Sequence, residues 1–196
     1  ALASGCTVVL KPSEHTPLTA LKLGELSLEA GLPEGVLNVL PGLGDPAGEA
    51  IARHPDVDKI SFTGSIRTAR RLLAASGETN LKKLTLELGG KSPQIVFADA
   101  DREKALDACF WGIFGNKGEI CNAGSRVLVE AKVHDRFVAE LADRARRMVV
   151  GDPLDPRTEM GAQLSRSRLE AILGHVRTAR AEGARLLAGG ERDVEG

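Results

Sequence analysis

Residues 57–88 read VDKISFTGSIRTARRLLAASGETNLKKLTLEL, and this stretch decides the fold class. It opens with a predicted strand over 57–62, continues with a helical pattern from Ser65 to about Ala75, and closes with a second predicted strand over 81–88. A strand, a helix and another strand at such short spacing are typical of a βαβ crossover, in which the two strands lie parallel. We therefore predict an α/β protein with a mostly parallel sheet covered on both faces.

The same alternation continues on both sides of this stretch, which supports the α/β prediction. We place a domain boundary at Gly89-Gly90, so that the predicted domains are residues 1–89 and 90–196. The further predicted strands cover residues 6–11, 36–40, 94–98, 125–130 and 184–188, and the further helices begin near 16 and 46 or cover 101–114, 134–150 and 165–182.

The composition excludes several classes of partner. Hydrophobic residues make up 42% of the chain and charged residues 27%, as in ordinary soluble globular proteins. The net charge of −1 gives no reason to expect nucleic acid or an anionic membrane as a partner. Apolar runs fall well short of the roughly 20 residues that a membrane span needs. Aromatic residues are only 3%, so stacking platforms for bases are not expected either.

The three cysteines, Cys6, Cys109 and Cys121, are far apart in the sequence and form no CxxC pair. An odd number without metal-ligand spacing argues against both a disulfide framework and a zinc site. Free thiols are typical of a reducing compartment, so we expect a cytoplasmic protein. Because metal-ligand spacing is missing, we also expect that it holds no metal. Cys6 and Cys109 lie in apolar segments and are both interpreted as core residues.

Polar and small residues recur at or just beyond the predicted strand ends. Ligands bind parallel sheets at the carboxyl ends of the strands, so this shared placement predicts one binding edge. The residues concerned are Lys11, Glu14, Gly42, Gly64, Ser65 and Glu87.

Two of these segments have the chemistry to bind a dinucleotide. Phe62-Thr63-Gly64-Ser65 lies at a strand-to-helix turn, where free amides and the helix dipole attract phosphate. Lys11-Pro12-Ser13-Glu14 could bond ribose hydroxyls, and the carboxylate of Glu14 would repel a 2′-phosphate, which favours NAD over NADP. Taken alone, however, the first segment is more typical of an ordinary capped turn and the second of a solvated charge pair.

Cys121 and Glu87 have the chemistry of a nucleophile and a base. Cys121 follows the glycine-punctuated stretch 115–120, in which a thiol can be exposed and closely approached. Glu87 ends an apolar strand, and a carboxylate at a partly buried strand end can act as a general base. The alternatives, a small core cysteine and a hydrogen-bonded glutamate, stay open on these residues alone.

Together these segments resemble the NAD(P)-dependent aldehyde dehydrogenase superfamily. The likeness runs through the whole chain in the order of that family. Gly5–Glu14 resembles its ribose-binding strand and loop, Phe62–Ser65 its dinucleotide turn, and Glu87–Pro93 its glutamate signature. Gly118–Cys121 and Ala123–Arg126 resemble its cysteine signature. The resemblance implies part of a Rossmann-like NAD-binding domain over 1–89, followed by part of an α/β catalytic domain over 90–196.

The resemblance also implies a mechanism and a set of site residues. Cys121 would attack an aldehyde, the resulting thiohemiacetal would pass hydride to NAD, and Glu87 would activate the water that hydrolyses the thioester. The cofactor would be held by residues spread over the first domain: Lys11, Pro12, Ser13, Glu14, Gly42, Phe62, Thr63, Gly64, Ser65, Leu88 and Gly89. The substrate would be a small-molecule aldehyde, and the parent enzyme would be a homodimer or homotetramer.

Two positions depart from the family pattern, and several alternatives stay open. Ala69 stands where the family often has glycine, and Glu119 stands where glutamine is common. The resemblance implies that this chain is an internal portion of a longer enzyme, with an oxyanion-hole asparagine and a second glutamate outside it. One alternative is a catalytically incomplete or structural relative. Another is a relative that releases the thioester to a different acceptor, although Glu87 argues against the CoA-acylating members.

Overall fold

The structure is a computed structural model that describes residues 1–192. The chain divides into two compact units, Ala1–Leu88 and Gly89–Gly196. The sequence boundary at Gly89-Gly90 lies one residue further along. The assignment of the two halves to cofactor binding and catalysis stays a prediction.

The first unit alternates strands and helices as the sequence predicts. The elements are β1 Val8–Leu10, α1 Leu18–Glu29, β2 Leu37–Val39, α2 Glu49–Arg53, β3 Lys59–Gly64, α3 Ile66–Glu78 and β4 Lys83–Leu88. Strands β1 and β2 pair in parallel, with Val9 opposite Asn38, and β3 and β4 pair in parallel, with Thr63 opposite Glu87. Within the described residues these are two separate two-stranded sheets.

A buried lysine ties the start of β4 to the helices of the first unit. Lys82 is 4% exposed, and its Nζ donates to the carbonyl of Ala52 at 2.8 Å and to Thr79 Oγ1 at 3.0 Å. Ala52 lies at the carboxyl end of α2, where the helix dipole favours a positive charge. Ser76 in turn donates to the Lys82 carbonyl at 2.8 Å, so the buried polar groups around the ammonium are paired.

The second unit has its own parallel pair and its own apolar core. The core is formed by Val96, Leu106, Cys109 and Phe137, with Leu141 packed against it. The interpretation of Cys109 as a core residue is confirmed. The elements are β5 Pro93–Val96, α4 Arg102–Phe114, β6 Arg126–Val129, α5 Ala131–Arg146 and α6 Arg166–Ala181, and β5 pairs in parallel with β6.

Two local predictions are wrong. Cys6 is exposed, because β1 begins only at Val8 and Cys6 lies in the irregular segment between the turn at Gly5 and that strand. Residues 184–188 form no strand, because no neighbouring backbone pairs with them within the described part of the chain. The carbonyl of Leu187 instead accepts a 2.8 Å hydrogen bond from the Arg146 guanidinium.

Two helix ends also differ from their predicted positions. Pro17 occupies the N-cap of α1 without a side-chain cap bond, so the Thr16 hydroxyl does not cap that helix as expected. Helix α5 ends at Arg146 rather than near Val150, because Val150 pairs with Met160 in an isolated bridge. Over residues 1–192, no helix has the length and apolar character needed to cross a membrane.

Candidate active site

The carboxyl ends of β1 and β2 bring Lys11 and Gly42 together. Leu40 N donates to the Leu10 carbonyl at 2.9 Å, which keeps the strands paired to their ends. Just beyond them, Lys11 Nζ donates to the carbonyls of Pro12 at 2.7 Å and Gly42 at 2.8 Å. The ammonium is therefore fixed at the edge where a parallel sheet binds its ligands.

The rest of the first predicted segment forms an exposed turn. Ser13 and Glu14 are both exposed, and Ser13 Oγ accepts a 3.3 Å hydrogen bond from the His15 amide. Lys11 and Glu14 make no ion pair within the part of the chain that the structure describes. The lysine bonds backbone carbonyls instead, so a simple solvated pair does not describe this segment.

The register of β3 and β4 brings the second predicted segment beside the glutamate. Thr63 lies opposite Glu87, and Gly64 lies opposite Leu88. A methyl group on Gly64 would come within 3.1 Å of Phe62 Cε1, so the aromatic ring occupies the space that a side chain would need. Two segments that are distant in sequence thus share one strand end.

Ser65 is the N-cap of α3, a helix of 13 residues. Its Oγ accepts from Thr68 N at 3.1 Å and lies 3.0 Å from Thr68 Oγ1. The prediction of a capped turn is confirmed. Capping does not exclude phosphate, because the first amides of the helix still have no intrahelical partner and the dipole still favours an anion. Ala69, one turn further on, is only 2% exposed, so this position packs closely even without glycine.

Glu87 is exposed, whereas the sequence argument expected a partly buried carboxylate. Burial alternates along β4, with the leucines at 84, 86 and 88 half-buried and residues 83, 85 and 87 exposed. The period of two carries Glu87 to the open face of its strand, beside Thr63. Solvent can therefore reach the carboxylate in this chain.

The loop that leads to Cys121 begins with a left-handed turn after α4. Asn116 and Lys117 have φ angles of 47° and 61°, and Gly118 has φ of 73°. A methyl group on Gly118 would lie 3.0 Å from the Ile113 carbonyl oxygen, so both the backbone angle and the available space favour glycine at this position. Lys117 Nζ lies 3.7 Å from a carboxylate oxygen of Glu119, and this ion pair spans the turn.

Cys121 lies in the next turn, where its thiol is exposed. The Ala123 amide donates to the Ile120 carbonyl at 3.1 Å and closes a four-residue turn around Cys121. Gly90 lies close to this turn, since a methyl group on it would come within 3.2 Å of the Cys121 carbonyl oxygen. By contrast, burial raises the pKa of the Cys109 thiol, which makes it a poor nucleophile.

Sequence reasoning missed the residues that pack against this loop. Gly124 donates to the Gly112 carbonyl at 2.8 Å, and the side chain of Gln94 fills the space beside both glycines. Gly112 and Gly124 were the only sign of this packing in the sequence, but a glycine does not indicate which side chain occupies the space beside it. Over residues 1–192, no cluster of three His, Cys, Asp or Glu side chains is arranged to hold a metal ion.

The sequence matches a known protein family along its whole length. The profile of the aldehyde dehydrogenase family matches residues 1–196. Human retinal dehydrogenase 2 is 50% identical over 191 residues, which is 97% of this chain and 37% of that protein. An aldehyde dehydrogenase of Enchytraeus buchholzi is 48% identical over 192 residues, which is 98% of this chain and 39% of that protein.

Solved structures give the same result. An aldehyde dehydrogenase from Bacillus cereus, solved as an NAD+ complex, has a TM-score of 0.96 at 46% identity. The match covers 99% of this chain and 39% of the Bacillus cereus chain. An indole-3-acetaldehyde dehydrogenase in complex with NAD+ has a TM-score of 0.97 at 47% identity and covers 100% and 40% respectively. The chain therefore spans about two fifths of the length of these relatives.

Proposed function

The chain belongs to the aldehyde dehydrogenase family, and on that basis we propose that it forms the cofactor-binding and thiol-bearing part of an NAD-dependent aldehyde dehydrogenase. The reaction is the oxidation of an aldehyde to a carboxylic acid. The observation that carries the proposal is the exposed thiol of Cys121, held in a closed turn, within a chain that matches the family over its whole length.

The residues at the carboxyl ends of the first unit's strands fit NAD. Lys11 and Glu14 would bond a ribose, with Pro12 and Ser13 shaping the turn that carries them. Gly42 packs against Ala47, since a methyl group there would come within 2.9 Å of Ala47 Cβ, and its carbonyl accepts the 2.8 Å hydrogen bond that holds Lys11 in place. The exposed carboxylate of Glu14 favours NAD rather than NADP, because it would repel a 2′-phosphate.

The turn at Phe62–Ser65 would hold the pyrophosphate. The amino end of α3 offers amide donors and a partial positive charge, and Ser65 fixes that end by capping it. Leu88 and Gly89 follow Glu87, and Gly89 has open space where a side chain would be, which would permit close approach of the nicotinamide half. Bound NAD would supply a hydride acceptor.

Cys121 would act as the nucleophile. Its thiolate would attack the aldehyde carbon, and the carbonyl oxygen would become an oxyanion that the Cys121 amide hydrogen bonds. Collapse of that oxyanion with loss of hydride would leave a thioester on the sulfur. The thiol is exposed, so a substrate can approach it, unlike the buried thiol of Cys109.

Glu87 would act as the general base for the second half-reaction. Its carboxylate would take a proton from water, the resulting hydroxide would attack the thioester carbon, and the acid would leave as the Cys121 thiolate re-forms. The exposure of Glu87 supports this role, because a base that activates water must be reached by water.

A nucleophile substitution tests the proposal in the full-length enzyme. We expect Cys121→Ala to lower the rate of NADH formation by at least about a thousandfold, because loss of the nucleophile removes nearly all of the catalysis that depends on it. The affinity for NAD should stay within about twofold of the parent, since the thiol is not a cofactor ligand. Cys6→Ala is the matched control, because it removes an exposed thiol outside the proposed chemistry. Substantial aldehyde oxidation by Cys121→Ala would overturn the nucleophile assignment.

We extend the proposal to compartment and assembly. Three free thiols, two of them exposed, support a reducing cytoplasm. The parent enzyme would be a homodimer or homotetramer, which light scattering of the purified full-length protein would measure directly.

A further inference from the structure

The segment between α4 and β6 that contains Cys121 is called here the cysteine loop, and two glycines near its two ends lie against each other. Gly112 belongs to α4, before the loop, and Gly124 follows the turn that contains Cys121. The Gly124 amide donates to the Gly112 carbonyl at 2.8 Å, and Gly124 is buried. This contact closes the loop at its base.

The side chain of Gln94, on β5, fills the space beside this contact. A methyl group on Gly112 would overlap the Gln94 amide nitrogen and lie 3.3 Å from its Cδ. A methyl group on Gly124 would overlap the same nitrogen and lie 2.7 Å from Gln94 Cγ. Neither glycine has the left-handed φ that only glycine adopts easily, so the constraint on a larger residue is one of space. At Gly112 the terminal amide of Gln94 would have to move, whereas at Gly124 the overlap extends to Gln94 Cγ.

The Gln94 amide is held by shape more than by hydrogen bonding. Its Oε1 is buried and has no hydrogen-bond partner over residues 1–192. An unpaired buried acceptor is unfavourable, so hydrogen bonding does not explain a polar side chain at this place. The Gln94 side chain is long enough to reach from β5 to both glycines.

The same strand edge also contacts the loop at two other points. Gly90, shortly before β5, lies against the Cys121 carbonyl, where a methyl group would come within 3.2 Å. Arg126, at the start of β6, donates through Nη2 and Nε to the Lys91 carbonyl at 2.8 and 3.1 Å. The segment around β5 therefore contacts the turn itself and the residues that leave it.

We propose that Gln94 is a positioning residue for Cys121. It acts as a wedge between Gly112 and Gly124 that fixes the exit of the loop three residues after the nucleophile. This inference rests on the proposed function, because positioning matters only if the Cys121 thiol reacts. Small displacements of a reacting group lower rates strongly, since a misplacement near 1 Å can cost about a hundredfold.

A set of four variants and one control tests the wedge in the full-length enzyme. Gln94→Ala empties the space and Gly124→Ala forces a methyl group against the amide, so each should lower kcat by about tenfold to a hundredfold. The KM for NAD should stay unchanged in both. The double variant Gln94→Ala/Gly124→Ala should recover most of the loss, because the new methyl group then occupies the vacated space. Gln94→Met keeps the length of the side chain and should behave like the parent.

Gly115→Ala is the matched control. It makes the same substitution in the same loop, but at a position with open space and an ordinary φ of −52°. Its kcat should match that of the parent. If Gln94→Ala loses no more activity than Gly115→Ala, Gln94 does not position Cys121. The same conclusion holds if the rate losses of Gln94→Ala and Gly124→Ala simply multiply in the double variant.

Alkylation of Cys121 by iodoacetamide gives a second readout that needs neither NAD nor aldehyde. The pH dependence of the alkylation rate should differ from that of the parent in Gln94→Ala and Gly124→Ala. It should match that of the parent in Gln94→Met and in the double variant. Unchanged profiles in all variants would overturn the positioning role. If Cys121→Ala retained full activity, the proposed function would fail, yet this pattern of alkylation would still report whether Gln94 positions the thiol.

Discussion

At the scale of single residues, packing distinguishes three cysteines that have the same covalent chemistry. Cys109 is 3% exposed among apolar side chains, whereas Cys6 and Cys121 are exposed. Burial disfavours the thiolate, which is the reactive form. The sequence context was enough to identify Cys109 as core, since Phe110 and Trp111 follow it in a helix. The exposure of Cys6 depended on where its strand began, and a pattern of apolar residues does not define that point closely.

The first prediction concerns the reactivity of these thiols. Iodoacetamide should modify Cys6 and Cys121 in the native chain at least about a hundredfold faster than Cys109, which reacts only when the core opens. Peptide mass spectrometry after timed labelling measures all three rates. Labelling in urea is the control, because the three rates should converge there. Equal native rates would show that the core around Cys109 is not formed.

Burial of Cys109 also predicts a pH dependence of stability. Burial raises the pKa of the thiol in the folded state, so as pH rises above the ordinary thiol value of about 8.5 the unfolded chain releases this proton first. The contribution of Cys109 to stability is therefore complete below that pH and is lost as pH rises toward the folded value. The decline in urea midpoint above about pH 8.5 should be smaller in Cys109→Ala than in the parent. An identical decline in both would contradict this linkage.

A further prediction separates the two proposed half-reactions. Glu87→Gln removes the base but keeps the size of the side chain, so thioester hydrolysis should slow by about a hundredfold to ten-thousandfold. NADH should then appear in a rapid burst equal to the active sites, followed by a slow steady state. Stopped-flow absorbance measures both phases. A variant that turns over as fast as the parent, without a burst, would exclude Glu87 as the base.

At the scale of elements, strand and helix identity followed from the sequence more securely than the ends did. The alternation of short apolar runs with amphipathic segments predicted β1 to β6 and α1 to α6 because it reflects burial. Helix α5 ends early because Val150 pairs with Met160, and residues 184–188 form no strand because a strand depends on a neighbour. Tertiary contacts of this kind, and the packing of Gln94 against two glycines, are not encoded in local patterns.

The element-scale prediction separates the capping role of Ser65 from its proposed role in phosphate binding. Aspartate is a good N-cap, so Ser65→Asp should keep the stability of α3 within about 0.5 kcal/mol. The added negative charge would repel a pyrophosphate at the same helix end, so the Kd for NAD should rise by at least about tenfold. Thermal unfolding and calorimetric titration of the full-length enzyme measure the two effects.

Ser165→Asp is the matched control for this substitution. Ser165 caps α6 in the same way, with its side chain accepting from the Arg168 amide at 3.2 Å, and has no proposed part in cofactor binding. It should leave both stability and NAD affinity unchanged. If Ser65→Asp likewise left NAD affinity unchanged, Ser65 would be a cap and nothing more.

At the scale of the whole molecule, the chain exposes far more surface than its mass requires. Its accessible surface is 13,997 Å². Two separate compact bodies with the combined mass of 20.7 kDa would expose only about 10,700 Å². Parallel sheets are normally covered on both faces, yet Ile95 and Leu128, which lie opposite each other on β5 and β6, are 61% and 56% exposed. Part of this exposed surface is therefore apolar and lies on the β5–β6 pair, on a face that parallel sheets normally bury.

The last prediction follows from this open face. By itself, the chain should bind an apolar dye and self-associate as its concentration rises, because exposed sheet faces and edges favour association. The double substitution Ile95→Thr/Leu128→Thr should reduce dye binding by the chain alone. In the full-length enzyme, where we propose that this face is covered, the same substitution should instead lower stability by about 2–4 kcal/mol, because it removes buried apolar groups. Dye fluorescence, sedimentation and urea unfolding measure these outcomes. A monomeric chain that excludes the dye and unfolds sharply would show that this surface needs no cover.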